Sequence, residues 1–178
     1  MFTTTLTLAL AALLVWVIVI YNLLVRDRNR VAAAWSDIDV QLKRRHDLIP
    51  KLVEAVRAYA GYEQATLARV TELRQQGAAL EDVAARGALE GQLGLQLKRL
   101  FVLAEAYPEL KADASFLDLQ RQVTAVEDHL QMARRYYNGA VRNLNTRIDS
   151  FPDLLVARAF GYRQAAYFEL EAALATHV

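Results

Sequence analysis

Residues 6–25 read LTLALAALLVWVIVIYNLLV, and this stretch decides how the rest of the chain has to be arranged. No charged side chain occurs before Arg26, and only Thr7 and Asn22 interrupt the apolar run. A helix of this length spans about 30 Å, the thickness of the hydrocarbon core of a bilayer. We therefore predict an uncleaved transmembrane anchor. Its predicted membrane-spanning side chains include Leu6, Leu10, Leu14, Trp16, Ile18 and Tyr21.

The apolar stretch has two competing interpretations. A cleaved signal peptide requires a basic segment before its apolar core, and residues 1–5 contain no Lys or Arg. A buried strand over residues 15–20 is disfavoured by the length of the apolar run and by the absence of a turn signal before Arg26. The sequence therefore favours the anchor.

Basic residues follow the stretch immediately and predict its orientation. Arg26, Arg28 and Arg30 have Asp27 as the only acid among them. Because cytoplasmic flanks of membrane helices carry an excess of Lys and Arg, we expect the N-terminus outside and the remaining chain in the cytoplasm. The three arginines are the predicted membrane-surface residues. In contact with anionic lipid, each would add about 1 kcal/mol of attraction, but the favoured interpretation is a stop-transfer flank without a further role.

The composition excludes several classes of protein. The 178 residues are about one domain's worth, and 54% hydrophobic residues are too many for a disordered chain. A formal net charge of +1 provides no field that would attract nucleic acid, so we expect no nucleic-acid partner. The absence of cysteine excludes disulfides, thiolate metal sites and thiol nucleophiles. With 7 Gly and 3 Pro, the chain is poor in helix breakers, which favours long helices.

Beyond the arginines, apolar residues repeat in steps of four and three, which is typical of a helix packed against other helices. The repeat comprises Val31, Trp35, Ile38, Leu42, Ile49, Leu52, Val56 and Tyr59. Arg45 occupies the one position of this stripe that carries a charge. Because the register passes Pro50 without a slip, we predict a kinked but continuous helix that ends near Gly77.

Further helices are predicted along the rest of the chain. One covers about residues 80–106 and is broken at Pro108, and the next begins near Ser115, whose spacing to Asp118 suits a capping box. A third restarts with Pro152 as its first helical residue. We thus predict an all-α bundle whose first helix is continuous with the membrane span. Its segments are an anchor (1–25), a bundle domain (26–162) and a C-terminal helical tail (163–178).

Histidine spacing tests for the carboxylate-bridged metal site of some four-helix bundles, which needs Glu-x-x-His pairs. The residues three positions before the three histidines are Lys43, Val126 and Leu174, so no such pair exists. Asp37 and Asp39 are two apart, which places them on different faces of a helix. We predict no catalytic residue, no metal site, no cofactor and no enzymatic activity.

The densest charged cluster consists of Lys43, Arg44, Arg45, His46 and Asp47. As a functional site, it would receive an anionic ligand or an acidic partner, with Arg45 in the stripe to bind a carboxylate or phosphate. As a structural feature, Arg45 would instead pair with Glu127 or Asp128 and fix the register between helices. The structural interpretation is favoured, and a lone histidine such as His46 is weak support for a ligand site.

Two groups of polar and aromatic residues remain. The first comprises Tyr136, Tyr137, Asn138, Asn143 and Asn145, which we expect to satisfy one another or backbone carbonyls across helices. The second comprises Phe160, Tyr162, Tyr167 and Phe168, which either fold back onto the bundle or pack on a neighbouring subunit. These four aromatics are the predicted self-association residues.

Several stretches resemble the LemA family. The main one runs from residue 21 through residue 31 and continues over residues 34–50 as AWSDIDVQLKRRHDLIP. Further matches lie at residues 107–112, 133–138, 151–152, 160–162 and 167–169. The resemblance implies a bacterial inner-membrane protein with a long antiparallel helical bundle, and it supplies no enzymatic activity.

Some positions depart from the family pattern. Lys51 replaces the usual asparagine, and Leu144 stands where a tyrosine is common. Residues 163–166 lack the proline often found before Tyr-Phe-Glu, which predicts a more helical tail than in the relatives.

Two functional hypotheses follow. The first is a non-enzymatic membrane scaffold, in which copies associate to organise or shape a membrane. Its partners would be membrane lipid, further copies of the chain and other membrane proteins. The second is a membrane-tethered adaptor or sensor that binds an anionic ligand or acidic partner through the cluster at residues 43–47.

Overall fold

Helices are the regular secondary structure of the residues that the structure describes. The structure is a computed structural model that describes residues 1–59 and 64–170. Its helices are α1 (Phe2–Tyr59), α2 (Gln64–Ala79), α3 (Val83–Ala104), α4 (Pro108–Ala112), α5 (Ala114–Asp149) and α6 (Asp153–Ala159). No strand occurs in the described ranges, which confirms the predicted all-α fold.

Helix α1 continues through Pro50, as the unbroken apolar register predicted. A proline inside a helix removes one backbone hydrogen bond and costs about 3 kcal/mol. Burial of the apolar stripe on both sides of the proline offsets this cost. The buried members of the stripe include Ile38, Leu42, Ile49, Leu52 and Val56.

The predicted helix end at Gly77 is wrong. Helix α1 ends at Tyr59, and Gly77 is a buried residue inside α2. A Cβ atom at this position would lie 2.7 Å from Glu90 Oε1, so the glycine allows α3 to approach closely. Glycine is common after helix ends and also at close helix contacts, and the periodic pattern does not separate these two uses.

Two predicted helix starts are also corrected. The cap of α5 is Asp113 instead of Ser115, since the Phe116 backbone N–H donates to Asp113 Oδ1 at 2.8 Å. A carboxylate at this position also interacts favourably with the helix dipole. Pro152 precedes α6 as its N-cap and is not its first helical residue, because its carbonyl accepts the Leu155 N–H at 3.1 Å.

Contacts within the chain divide it into two compact units. The N-terminal unit comprises Met1–Ser36 and Tyr136–Ala166, and the central unit comprises Asp37–Arg135 with the described residues from Tyr167 onward. The core of the N-terminal unit consists of Ile20, Leu24, Leu144, Ile148, Val156 and Ala157. The inner end of the predicted membrane span is therefore part of a folded core. The predicted boundaries at residue 25, between anchor and bundle, and at residue 162, between bundle and tail, stay predictions.

The central unit has a larger apolar core to which α1, α2, α3, α4 and α5 contribute. Leucine and valine predominate in it, and the Phe101 and Phe116 rings pack edge to face with centroids 6.4 Å apart. Its fully buried members include Leu52, Val56, Val70, Leu93, Leu100 and Leu110. This core surrounds the charged residues described below.

The described part of the predicted helical tail, residues 163–170, contains no helix, so that prediction is wrong there. Gly161 has a positive φ of 69°, a left-handed conformation that favours glycine and ends the helical path. The side-chain amide of Asn145 then binds both backbone groups of Ala165. Its Oδ1 accepts the Ala165 N–H at 2.9 Å, and its Nδ2 donates to the Ala165 carbonyl at 3.0 Å. Hydrogen bonds to α5 thus replace those of a helix. Residues 171–178 of the predicted tail lie outside the described residues.

Candidate functional site

A buried ion cluster occupies the middle of the central unit, and Arg45 is its centre. This side chain is 1% exposed, although it carries a permanent charge. Its Nη1 donates to Glu90 Oε2 at 2.9 Å and to the Glu90 carbonyl oxygen at 3.1 Å. Its Nε lies 2.8 Å from Glu127 Oε1. The predicted pairing of Arg45 with Glu127 is therefore confirmed, and Glu90 is a second partner.

Glu90 joins this arginine to His46. The carboxylate of Glu90 is fully buried, and its Oε1 lies 2.7 Å from His46 Nε2. The Arg74 Nε donates to the backbone carbonyl of His46 at 2.8 Å, which ties α2 to the same turn of α1. His46 is thus satisfied within the chain, as expected for a lone histidine. We refer to Arg45, His46, Glu90 and Glu127 as the buried ion cluster.

Glycines on two helices make room for the buried ion cluster. A Cβ atom at Gly94 would lie 2.9 Å from Arg45 Nη2, and one at Gly77 would lie 2.7 Å from Glu90 Oε1. A Cβ atom at Gly87 would lie 2.5 Å from the backbone oxygen of Glu169. The sequence GALEGQLG around Glu90 therefore belongs to a helix that is approached closely on several sides. This enrichment in glycine around one acid was the signal that could have identified Glu90.

Glu127 forms the outer edge of the buried ion cluster. Its side chain is partly exposed, yet burial raises its pKa above the usual 4.5, and the nearby Arg45 guanidinium only partly opposes this effect. A cavity of about 280 Å³ adjoins it, lined by Lys98, Phe101, Asp128 and Gln131 among others. Arg45 and Glu90 also line this cavity, and the two acids differ in exposure, since the Glu90 side chain is fully buried and that of Glu127 is 31% exposed.

The arrangement is suited to fixing the positions of helices. Removing two opposite charges from water is costly, and the cost is recovered only where both are well bonded. Arg45 and Glu90 meet this condition, so the pair specifies how α1 and α3 align. Among the described residues, no group of His, Asp and Glu side chains could hold a metal ion. His177, the third histidine, lies outside the described residues.

The predicted partner-binding cluster at residues 43–47 is split by burial. Arg45 and His46 point into the core, whereas Lys43, Arg44 and Asp47 are exposed. Arg44 and Asp47 line an open groove that α5 completes with His129. The structure therefore brings together only the outer half of the cluster as an accessible surface.

A second ion network lies in the N-terminal unit just beyond the predicted span. Asp27 is buried, and its Oδ2 accepts a hydrogen bond of 2.6 Å from Arg147 Nε. Arg147 Nη1 also donates to Asp153 Oδ2 at 2.9 Å, and the bond to Asp27 raises the pKa of Arg147 above its usual value. Arg26 and Arg30 lie within 3.8 and 3.5 Å of Asp27. We refer to Asp27, Arg147 and Asp153 as the collar network.

The predicted membrane-surface arginines surround the collar network. Arg26 and Arg30 are largely exposed. The Arg28 guanidinium lies 5.8 Å from the ring centroid of Tyr162, a cation–π distance. The three arginine side chains therefore lie around α1 directly after the predicted span.

The predicted span is mostly uncovered by the rest of the chain. Among the described helices, α1 alone is long and apolar enough to cross a membrane. Only 11% of its most apolar stretch of 18 residues is buried. A core helix of a water-soluble protein would be buried. Of the predicted membrane-spanning side chains, Leu6, Leu10, Leu14, Ile18 and Tyr21 are exposed, whereas Trp16 packs against the core of the N-terminal unit.

The polar and aromatic residues of α5 are satisfied mainly inside the N-terminal unit. The Tyr137 hydroxyl donates to the Ala166 carbonyl at 2.9 Å, and its ring lies 5.5 Å from that of Trp35. Burial raises the pKa of Tyr137. Asn145 binds the backbone of Ala165, as described above, so its predicted bonding to backbone groups is confirmed. Tyr136 is exposed, and Asn143 lines a shallow groove beside Arg147.

The four predicted self-association residues lie in different environments. Phe168 is fully buried in the central unit, so its ring is not offered to a second copy. The rings of Phe160 and Tyr162 lie 4.8 and 6.5 Å from that of Tyr21. Phe160 and Tyr167 are largely exposed. The aromatics thus fold back onto their own chain to different extents.

Comparison with known proteins places these features in a family. The model of the LemA family matches residues 34–178. Protein LemA of Metamycoplasma hominis is 28% identical over 149 residues, which are 83% of this chain and 68% of that protein. Magnetosome protein MamQ 2 of Paramagnetospirillum magneticum is 23% identical over 91% of this chain and 69% of that protein. Magnetosome protein MamQ of Magnetospirillum gryphiswaldense is 21% identical over 90% of this chain and 69% of that protein. Together with α1, these similarities indicate a membrane-associated helical protein.

Proposed function

Because the chain belongs to the LemA family, we propose that it is a non-enzymatic membrane scaffold. Many copies, each anchored by α1, associate to organise or shape a bacterial membrane. The bundle lies on the cytoplasmic side of the inner membrane, and the single span places the N-terminus outside. The observation that carries the proposal is the way in which the span is built into the fold.

The span has a free part and a folded part. Its first part, residues 2–15, has every side chain exposed, so apolar groups on all sides of the helix need lipid or other spans as neighbours. Its end contributes Ile20 and Leu24 to the core of the N-terminal unit. Cleavage after the apolar stretch would remove these two core side chains, which supports a permanent anchor.

The charged residues support a structural role. The buried ion cluster uses its charges on one another, and the collar network does the same near the membrane. Such networks are suited to holding a fixed geometry, which a scaffold requires. Two similar proteins are named for the magnetosome, and in line with that name we propose a role in organising a membrane for this chain.

Mass measurement tests self-association. The full chain, extracted from its membrane in polymer-bounded lipid particles, is compared with a shortened chain that begins at Val15. This shortened chain keeps Ile20 and Leu24, whereas a truncation at Arg26 would remove them from the core. We expect defined multimers for the full chain and smaller particles for the shortened one. Uniform monomers for both chains would contradict the scaffold.

Orientation is tested with single cysteines, since the chain has none of its own. Phe2→Cys and Tyr136→Cys variants are treated on intact cells with a membrane-impermeant maleimide. We expect labelling of Phe2→Cys alone, because the proposed orientation places residue 2 outside the inner membrane and residue 136 in the cytoplasm. Labelling of Tyr136→Cys alone would reverse the proposed orientation.

A second candidate function, the tethered adaptor, is supported by the groove that Arg44, Lys51 and His129 line. This groove would receive acidic side chains of a partner. An Arg45→Glu variant does not test it, since Arg45 is buried and its reversal disrupts the core. Binding of a fluorescent poly-glutamate peptide is compared between the wild type and an Arg44→Glu, Lys51→Glu variant. Equal binding by both would exclude this groove as the receptor.

A further inference from the structure

Helix α6 lies against the inner end of the predicted span within the N-terminal unit. Val156 and Ala157 are buried in the same core as Ile20 and Leu24. After the helix, the Phe160 ring lies 4.8 Å from the Tyr21 ring. The segment that includes α6 therefore reaches the level of residues that belong to the apolar stretch.

The depth of this segment follows from helix geometry. Tyr21 precedes Arg26 by five positions, which corresponds to about 7 Å along the helix axis. Helices that lie in a membrane interface bury their apolar faces to about 5–10 Å. If Arg26 marks the headgroups, Phe160 lies at a depth where apolar side chains meet acyl chains.

Three large apolar side chains of the segment are exposed. Phe151 is 78% exposed, and Leu155 and Phe160 are each 55% exposed. Large apolar side chains grouped on one surface mark an interaction site more often than an ordinary water-exposed surface. The inner side of the same segment is occupied by the buried Val156 and Ala157. The segment thus has side chains buried in its own core and three exposed large apolar side chains, of which Phe160 also contacts Tyr21.

Several backbone groups of the segment are paired within the chain, as a lipid environment requires. The Leu154 N–H donates to Ser150 O at 2.8 Å, and the Phe160 N–H donates to Val156 O at 3.0 Å. The Tyr162 N–H donates to Ala157 O at 2.9 Å, which closes the turn after the helix. Unpaired backbone groups cost several kcal/mol in hydrocarbon, so this pairing makes insertion feasible.

The charges of the segment lie where headgroups would bind them. Asp153 is held by Arg147 in the collar network, at the level of Asp27. Arg158 and Arg163 are exposed, and their long apolar stems allow a guanidinium to reach phosphate groups while the stem stays in the apolar layer. These charged groups can therefore stay at headgroup level while the exposed apolar side chains of the segment contact acyl chains.

We propose that residues 151–160 are a second membrane-contacting element, in which Phe151, Leu155 and Phe160 insert into the lipid layer beside the span. The occupant of this surface is lipid, because the surface is continuous with the span through the Phe160–Tyr21 contact. The inference rests on the proposed membrane anchor. With this second element, the protein occupies more area than one helix in the membrane leaflet that faces the bundle.

Spin labels measure this insertion directly in the full chain, which contains no cysteine. Phe151→Cys, Leu155→Cys and Phe160→Cys variants are labelled with a nitroxide and reconstituted in vesicles of phosphatidylethanolamine and phosphatidylglycerol. Collision rates with oxygen, which concentrates in lipid, are compared with those of a water-soluble nickel chelate. We expect oxygen collisions to predominate at all three sites.

Two controls bracket the result. The first control, Tyr136→Cys, carries the label at an exposed position of the same unit. The neighbouring Tyr137 contacts Trp35, which lies about 14 Å beyond Arg26 along the axis of α1. The label at residue 136 is expected to collide mainly with the nickel chelate. Leu13→Cys places a label within the span itself. Phe160 contacts Tyr21, so the Phe160→Cys variant could fold incorrectly. In that case, Phe151→Cys and Leu155→Cys decide the result.

The outcomes separate the inference from the anchor. Nickel collisions at residues 151 and 155 with oxygen collisions at residue 13 would overturn the insertion and leave the anchor intact. Nickel collisions at residue 13 as well would overturn both. Protection of residues 151 and 155 from both reagents would show that protein, such as a second copy, covers this surface, which would also overturn the proposal.

Discussion

Arg45 in the central unit and Arg147 in the N-terminal unit are each held between two acids, yet their surroundings differ. Arg45 is 1% exposed between Glu90 and Glu127, whereas the Arg147 side chain is 26% exposed between Asp27 and Asp153. A charge that is sealed from water depends entirely on its partners, whereas an accessible one can exchange them for water. The same pattern of charges therefore has a different structural importance in each unit.

Loss of Glu90 tests the sealed side of this comparison. A Glu90→Leu variant leaves Arg45 and His46 buried without their shared partner, and we expect the free energy of unfolding to fall by about 3–5 kcal/mol. Denaturant titration of the detergent-solubilised chain measures it. The matched control is Glu72→Leu, which breaks an exposed pair with Arg69 of 2.8 Å, close to the 2.9 Å of the Arg45–Glu90 pair, and should cost about 0.5 kcal/mol or less. Equal costs for both variants would contradict the role assigned to burial.

Removing both charges sharpens the same test. An Arg45→Met, Glu90→Leu variant replaces the pair with apolar side chains of similar size. It should recover part of the stability that Glu90→Leu loses, because no buried arginine is left with Glu127 as its remaining acid partner. A double variant less stable than the single one would show that Arg45 stabilises the fold through Glu127 even without Glu90.

Loss of Arg147 tests the accessible side. In an Arg147→Met variant, Asp27 keeps Arg26 and Arg30 within 3.8 Å, and Asp153 is near the surface. We expect a loss of about 1–3 kcal/mol, the range for hydrogen bonds to charged groups. Amide hydrogen exchange in α6 should increase more than exchange in α3. A loss as large as that of Glu90→Leu would erase the contrast between the two networks.

Glycine substitutions probe the space around the sealed network. Alanine normally stabilises a helix interior by about 1 kcal/mol relative to glycine. At Gly77, however, the new Cβ would lie 2.7 Å from a carboxylate that Arg45 and His46 hold in place, so we expect a net loss of about 1–3 kcal/mol. Gly139→Ala in α5 is the control, because nothing lies within 4 Å of its Cβ, and it should be neutral or stabilising. Thermal unfolding of both variants distinguishes these outcomes.

The smallest effect is expected from Glu127, as a dependence on pH. Since burial raises its pKa above 4.5, the folded state binds a proton more tightly than the unfolded state. The stability that Glu127 contributes is therefore present below pH 4.5 and is lost as the pH rises through the folded pKa. Relative to Glu127→Gln, the wild type should lose about 1 kcal/mol or less as the pH rises from 4.5 toward 7. A relative gain over this range would mean that attraction to Arg45 outweighs desolvation.

Long-range periodicity made much of the fold predictable. The stripe from Val31 to Val56 identified the buried side of α1 through Pro50, because a helix needs one continuous apolar face whatever it packs against. The isolated charge in that stripe also identified Arg45 as a residue that requires an acid. Its partner Glu127 was among the acids predicted, whereas Glu90 was not, since the glycines that surround Glu90 are a weaker signal than a charge within an apolar stripe.

Local features were predicted less well, because several residues compete for the same role. Gly77 resembled a helix end, and the tail at residues 163–170 resembled a helix. Both interpretations relied on local preferences of a few residues. Contacts from distant parts of the chain, the Glu90 carboxylate in one case and Asn145 in the other, determined the outcome.

The sequence by itself determined that this chain has an apolar span, a basic collar and long helices with one apolar face. These properties depend on the order of residues along the chain, and periodicity reveals them directly. Only the tertiary structure decided which acid meets Arg45, which half of the cluster at residues 43–47 is accessible, and that α6 lies beside the span. Those features depend on distances between residues far apart in the sequence, and packing of the helices sets such distances.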